Sequence, residues 1–283
     1  MQLFLTIIIS FLCLFSPVWA EELPYVLVSV SPHKYVVEKI AGDTVNVGLL
    51  VPAGASAHTY EPTPKQMLTA SQAKIWFRIG EGFEARALKT LTAHNSRMIV
   101  TDLRRNVDMI VSDAHTGCPH CHAAGQDLHF WLSARQLQRQ ARTVAEVLSV
   151  AYPEHKARYE QALAAFIDEL EQLDQDIRAL LSPIKGQIIL VSHPAYAYFC
   201  RDYGLVQRSI EFEGKDPTPQ QMTRTLNLAR EANVKKVFIQ AQYNNKGARL
   251  FAQQLGAEVV MLDPYAENVN KSMLDIARNF ANQ

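Results

Sequence analysis

Glu61-Pro62-Thr63-Pro64-Lys65-Gln66-Met67 and Asp216-Pro217-Thr218-Pro219-Gln220-Gln221-Met222 agree at five of seven positions, and these two stretches decide the fold. In each, Thr is placed as a helix N-cap and the following Pro takes the first helical position, where its missing N–H is no loss. The surroundings repeat as well. Each predicted helix is followed by an apolar strand, at 73–79 and 234–239. Each strand leads to a helix, at 83–93 and 247–255, and then to a strand ending in Asp, at 98–102 and 259–263. Upstream, Leu27-Val28-Ser29-Val30 corresponds to Leu190-Val191-Ser192-His193, each strand preceding a helical stretch, 35–41 or 196–203. Strands alternating with helices of this length predict parallel sheets covered on both faces. The fold class is therefore α/β, with two related lobes at 21–145 and 185–283.

Between them, Tyr159, Leu163, Phe166, Ile167, Leu170, Leu173, Ile177 and Leu180 recur at steps of three and four, one apolar face of a long helix. It occupies 150–182, from about Pro153 to just before Pro183, and at ~1.5 Å per residue it makes a rigid rod joining the lobes. Glu169, Glu171, Asp174, Asp176 and Arg178 fall on its opposite, solvated face.

Lys and Arg total 28 and balance 28 Asp and Glu, so no global basic surface is available for nucleic acid. Residues 3–15 are almost wholly apolar, and Ser16-Pro17-Val18-Trp19-Ala20 places small residues for cleavage after Ala20. Residues 1–20 thus read as a secretory signal peptide, with export as the consequence. An uncleaved anchor would need a longer run, and Leu12 before Cys13 is too large for a usual lipoprotein site. In an oxidising compartment, Cys118 and Cys121 can pair as a disulfide, leaving Cys200 as a small buried hydrophobe.

In open α/β sheets ligands bind beyond the carboxyl ends of the strands. His193 ends the first strand of the second lobe and Asp263 a later one. His58 lies in the loop after a strand at 45–51, and His129 precedes a helix at 134–150. Separations of 71, 64 and 70 residues rule out a local zinc-finger pattern, so the fold has to assemble the site. Three imidazoles and one carboxylate suit Zn2+, with Mn2+ or Fe2+ as alternatives. His33, His94 and His155 read as structural or exposed. His115, His120 and His122 cluster around Cys118-Pro119-His120-Cys121 in a polar loop that could form a weaker second metal site. The Cys spacing also matches thiol–disulfide enzymes, but no helix N-terminus is expected there to activate the thiol.

Ala57-His58-Thr59-Tyr60-Glu61-Pro62-Thr63-Pro64, Asp127-Leu128-His129-Phe130-Trp131-Leu132, Ser192-His193-Pro194-Ala195-Tyr196-Ala197-Tyr198-Phe199 and Leu262-Asp263-Pro264 occur in this order. Together they resemble the metal-specific solute-binding proteins of bacterial ABC importers, the zinc- and manganese-binding group called cluster A-I or ZnuA/TroA-like. The resemblance covers the whole mature chain. It implies one metal ligand from each motif, namely His58, His129, His193 and Asp263, and limited lobe movement about the rigid helix. It also implies a non-enzymatic periplasmic protein, expected as a monomer, that delivers its ion to an ABC transporter membrane permease. Two departures stand out. Asp-Leu-His replaces the common Asp-Pro-His, and the His-rich loop is shorter than in many zinc members and carries a Cys pair. His193, where manganese members often have Glu, favours the softer ion. Two rivals are an adhesin and a zinc metallohydrolase, which would need an open coordination position and a general base. Glu61, a carboxylate near a ligand in sequence, is already explained by its place at a helix start.

Overall fold

The computed structural model describes residues 22–111, 125–211 and 218–283. The signal-peptide residues and the loop with His115, Cys118, His120, Cys121 and His122 lie outside the described residues.

The first half runs β1 (Tyr25–Val28), α1 (Ser31–Ala41), β2 (Asn46–Leu49), α2 (Pro64–Ala70), β3 (Ile75–Arg78), α3 (Gly82–His94) and β4 (Ile99–Asp102). Its four strands are all parallel, in the order β2-β1-β3-β4. A 3-10 turn (Phe130–Leu132) and α4 (Ala134–Ala151) lead into the long helix α5 (Lys156–Leu181). The second half repeats the scheme with β5 (Ile188–Val191), α6 (Ala197–Tyr203), β6 (Val206–Ser209), α7 (Pro219–Glu231), β7 (Lys236–Gln240), α8 (Lys246–Leu255), β8 (Glu258–Leu262) and α9 (Val269–Ala281). Its order, β6-β5-β7-β8, is the first sheet's order again.

Both quoted repeats open helices as the sequence predicts. Gln66 N–H donates to Thr63 Oγ1 at 3.3 Å while Gln66 Oε1 accepts from Thr63 N–H at 2.9 Å. Thr218 and Gln221 form the same reciprocal box at 3.3 and 2.8 Å. Each box satisfies two amide donors that a helix start would otherwise leave exposed.

The central strands explain why the pattern reads as two-faced. Val26, Leu27 and Val28 in β1, and Ile189, Leu190 and Val191 in β5, are all buried, as a parallel sheet between two helical layers requires. One core runs through both halves, from the β1 and β3 side chains past Phe130 and Trp131 to Phe199 and Phe280. The rod α5 packs on α1, α4 and α9. Its buried face carries Tyr159, Phe166, Ile167, Leu170, Leu173, Ile177 and Leu181. Leu180, assigned to that face by spacing, is instead exposed, and Leu181 takes its place. The 3.6-residue turn drifts against a strict three-four step, and over several turns the drift moves the stripe by one residue. Among the described residues, no helix is long and apolar enough to cross a membrane.

Candidate metal centre

The carboxyl ends of the strands in both halves converge on one place. The loop after β2 carries His58, the segment before the 3-10 turn carries His129, and the turn after β5 carries His193. One ring nitrogen from each lies within 4.8 Å of the others. The ring centroids are 5.1 Å apart for His58 and His129, 5.3 Å for His58 and His193, and 5.4 Å for His129 and His193. All three side chains are sequestered, at 2 %, 0 % and 2 % exposure.

The second nitrogen of each imidazole is what gives the cluster its chemistry. His58 Nδ1 meets Glu81, with the carboxylate oxygens at 3.0 and 3.2 Å. His129 Nδ1 donates to Asp127 Oδ1 at 2.8 Å, and His193 Nδ1 donates to Glu211 Oε2 at 2.9 Å. A carboxylate only accepts, so each Nδ1 carries a proton, and in the neutral ring that ligates a metal each Nε2 then presents a lone pair. Carboxylate–histidine pairs of this kind fix the tautomer, orient the ring and raise the basicity of the ligating nitrogen. His58 Nε2 and His129 Nε2 stand 3.2 Å apart. Tetrahedral Zn–N bonds of about 2.0 Å place two ligand nitrogens about 3.3 Å apart, so this pair already has the spacing an ion needs.

The partners are held in turn. Glu81 follows Gly80, whose φ of +96° is readily reached only by glycine. Glu84 fixes that turn, accepting from Ile79 N–H at 3.0 Å and Gly80 N–H at 2.5 Å and from the Ser29 hydroxyl. Burial pushes the Glu84 carboxyl up to about 7. Asp127 Oδ1 also accepts the His129 amide at 2.8 Å, closing a tight two-residue loop. On the other side, Gln240 Nε2 donates to the His193 carbonyl at 3.0 Å. Trp131 Nε1 donates to the Pro264 carbonyl at 2.7 Å and so ties the His129 segment to the chain just after Asp263.

Asp263 stands apart from the imidazole cluster. It lies immediately after β8, is exposed, and its Oδ1 accepts from Gln242 Nε2 at 2.6 Å and from Tyr265 N–H at 2.9 Å. Its charge still reaches inward: burial first, and Asp263 second, hold the Tyr196 phenol well above the usual range.

Residues 26–282 match the family described as zinc-uptake complex component A, periplasmic. The chain belongs to the ZnuA family. It is a cluster A-I solute-binding protein, of an extracytoplasmic metal-binding family. A crystal structure of ZnuA superposes with a TM-score of 0.86 at 36 % identity, covering 92 % of this chain and 99 % of that one. A ZnuA deletion mutant with zinc bound gives 0.85 at 37 % identity, covering 92 % and 98 %. A Chlamydia muridarum protein assigned to metal binding is 34 % identical over 285 residues, covering 99 % of each chain.

The carboxylates that support His58 and His193 lie far from them in the chain. Glu61 pairs with Arg86 on the exposed surface, whereas the carboxylate on His58 is Glu81, 23 residues away in the chain. Glu211 is 18 residues from His193. Asp127, two residues before His129, lay within a quoted motif, but its pairing with that ring comes from the structure. His33, read with His94 and His155 as structural or exposed, is structural. It is fully buried, with Nε2 2.5 Å from Gln140 Oε1 and its ring against Phe130 and Trp131, and burial pushes its imidazole down to about 4. His94 is exposed and His155 partly so, as expected. Cys200 is a buried thiol on α6, raised far above the ordinary range by burial.

Proposed function

We propose that this chain captures a zinc ion in the periplasm, with His58, His129 and His193 as nitrogen ligands and Asp263 as the fourth, and delivers it to the permease of an ABC importer. The three converging Nε2 atoms, each backed by a carboxylate on Nδ1, carry this reading. Three imidazoles and a carboxylate favour Zn2+ over Mn2+ or Fe2+, which take more oxygen donors. The zinc-bound ZnuA mutant, covered over nearly its whole length, supports the same ion. The Asp263 carboxylate would complete a tetrahedron once the loop after β8 carries it to the three imidazoles.

A metallohydrolase needs a coordination position open to water and substrate. The three imidazoles are exposed by 2 % or less, and Asp263 as a fourth protein ligand would close that position. The reading is therefore capture without chemical change. Competition among zinc, manganese and iron(II) for the purified mature chain, with and without reductant, tests it. Zinc is expected to win at equal free concentration in both conditions. A preference for manganese would overturn the choice of ion, and a reductant-dependent affinity would move the site to Cys118 and Cys121.

A further inference from the structure

The loop that follows β7, residues 241–245, touches both halves of the site. Tyr243 stacks on the His193 ring, with centroids 4.4 Å apart and planes inclined by 19°. Its ring also lies 6.5 Å from that of His58. Ser56, buried in the loop that carries His58, donates from Oγ to the Tyr243 hydroxyl at 3.2 Å. One side chain of the second half thus covers one ligand and is tied to the loop of another ligand in the first half. The preceding residue, Gln242, holds Asp263 Oδ1 at 2.6 Å. The loop itself is braced, because Asn245 Nδ2 donates to the carbonyls of Gln240 and Tyr243 at 2.7 and 2.8 Å.

We propose that Tyr243 is a positioning residue for the metal site, a latch whose stack on His193 and bond to Ser56 across the lobes set how fast the ion leaves. The inference rests on reading the three histidines as the metal site. Stacking against an imidazole restricts its rotation and keeps water from one of its faces. The hydroxyl contact adds a bond that must break when the His58 loop and His193 separate. Release of the ion requires that separation, because ligands from both halves hold it.

Stopped-flow zinc release into excess chelator tests the latch in the full mature chain, with wild type compared with Ser56→Ala, Tyr243→Phe, their double variant and Tyr243→Ala. Loss of one hydrogen bond is expected to speed release about fivefold in either single variant. The double variant should release no faster than the singles, because both remove the same bond. Tyr243→Ala, which also loses the stack, should release about 20- to 50-fold faster. Single variants at the wild-type rate, or a double variant whose effect is the product of the two, would overturn the assignment of Tyr243 while leaving the metal site standing. A wild-type chain that holds no zinc would overturn the metal site itself, and the latch with it.

Discussion

The two halves of the molecule share strand order, capping boxes and the placement of a histidine beyond a strand end, yet they hold their histidines by different means. In the first half the loop after β3 supplies Glu81 to His58, and Asp127 supports His129; both carboxylates are nearly or fully buried, at 0 % and 7 % exposure. In the second half the loop after β7 supplies an aromatic ring, Tyr243, to His193, while its carboxylate Glu211 is 21 % exposed and Asp263 lies in the open. The loop after the third strand of each half has diverged: in the first it backs a buried histidine with a carboxylate, and in the second it lays an aromatic ring over one. The proposed capture and hand-over of an ion needs both, since a site rigid on every side would bind its ion and not part with it.

The largest expected effect separates the ligands themselves. His58→Ala or His129→Ala removes one of the two nitrogens already at metal spacing and should weaken zinc binding by at least about a thousandfold, roughly 4 kcal/mol. Asp263→Ala should cost less, about tenfold to a hundredfold. Competition titrations with a chelator of known affinity give both numbers. An Asp263 variant as impaired as the His58 variant would show that the second half is no mere cover.

The next effect concerns two buried titratable groups, His33 and Glu84, which both belong to the first half. His33 is held near 4 when folded, against about 6.5 unfolded, so the unfolded chain takes up a proton that the folded one refuses. On its own this contribution, up to about 3 kcal/mol, is present above pH 6.5 and lost as pH falls toward 4. Glu84 has the opposite sign. Its folded value, raised to about 7 from 4.5, gives stability that is present below pH 4.5 and lost as pH rises toward 7. Between pH 4.5 and 6.5 the two proton counts cancel, and these residues leave stability flat. Glu84→Gln mimics the neutral acid, so urea unfolding of that variant should reveal a stability that climbs with pH across this window. A flat profile in the variant would contradict the burial assigned to His33.

A smaller difference is expected among the supporting carboxylates. Glu81→Gln and Asp127→Asn should each weaken zinc binding by about 10- to 100-fold, the usual cost of losing a partner that orients a metal-bound imidazole. Glu211→Gln, already partly in water, should lie at or below the low end. An equal loss for all three would erase the asymmetry between the halves. Smallest are the capping boxes. Thr63→Ala and Thr218→Ala should each cost about 1 kcal/mol of stability, equally, because their geometry is the same in both halves.

Much of this organisation was legible in the sequence, for physical reasons. Thr-Pro at a helix start is a local signal, so both N-caps could be placed to the residue, while the reciprocal bonds of Gln66 and Gln221 came from the structure. Strand–helix alternation is periodic, so the two parallel sheets followed from it. The rule that sites lie beyond strand carboxyl ends made His58, His129, His193 and Asp263 candidates, and the resemblance carried by the four motifs set these three apart among nine histidines. What stayed hidden depends on long-range packing. Glu81 and Glu211 reach their histidines only after the strands between them are aligned. His33 is buried because α1 meets α4 and the 3-10 turn, a contact that its own neighbours in the chain do not announce. Asp127 was visible beside His129, but its role as a hydrogen-bond acceptor emerges only from the tight loop it closes. The Leu180–Leu181 exchange shows the limit of periodicity over a long helix, where a small drift per turn changes which residue faces inward.

Extended X-ray absorption fine structure at the zinc edge of the loaded mature chain tests the central claim most directly. The account predicts three imidazole nitrogens at about 2.0 Å and one carboxylate oxygen at about 2.0–2.2 Å, with one imidazole lost in His193→Ala. Sulfur at about 2.3 Å, or an imidazole signal that His193→Ala leaves unchanged, would contradict it.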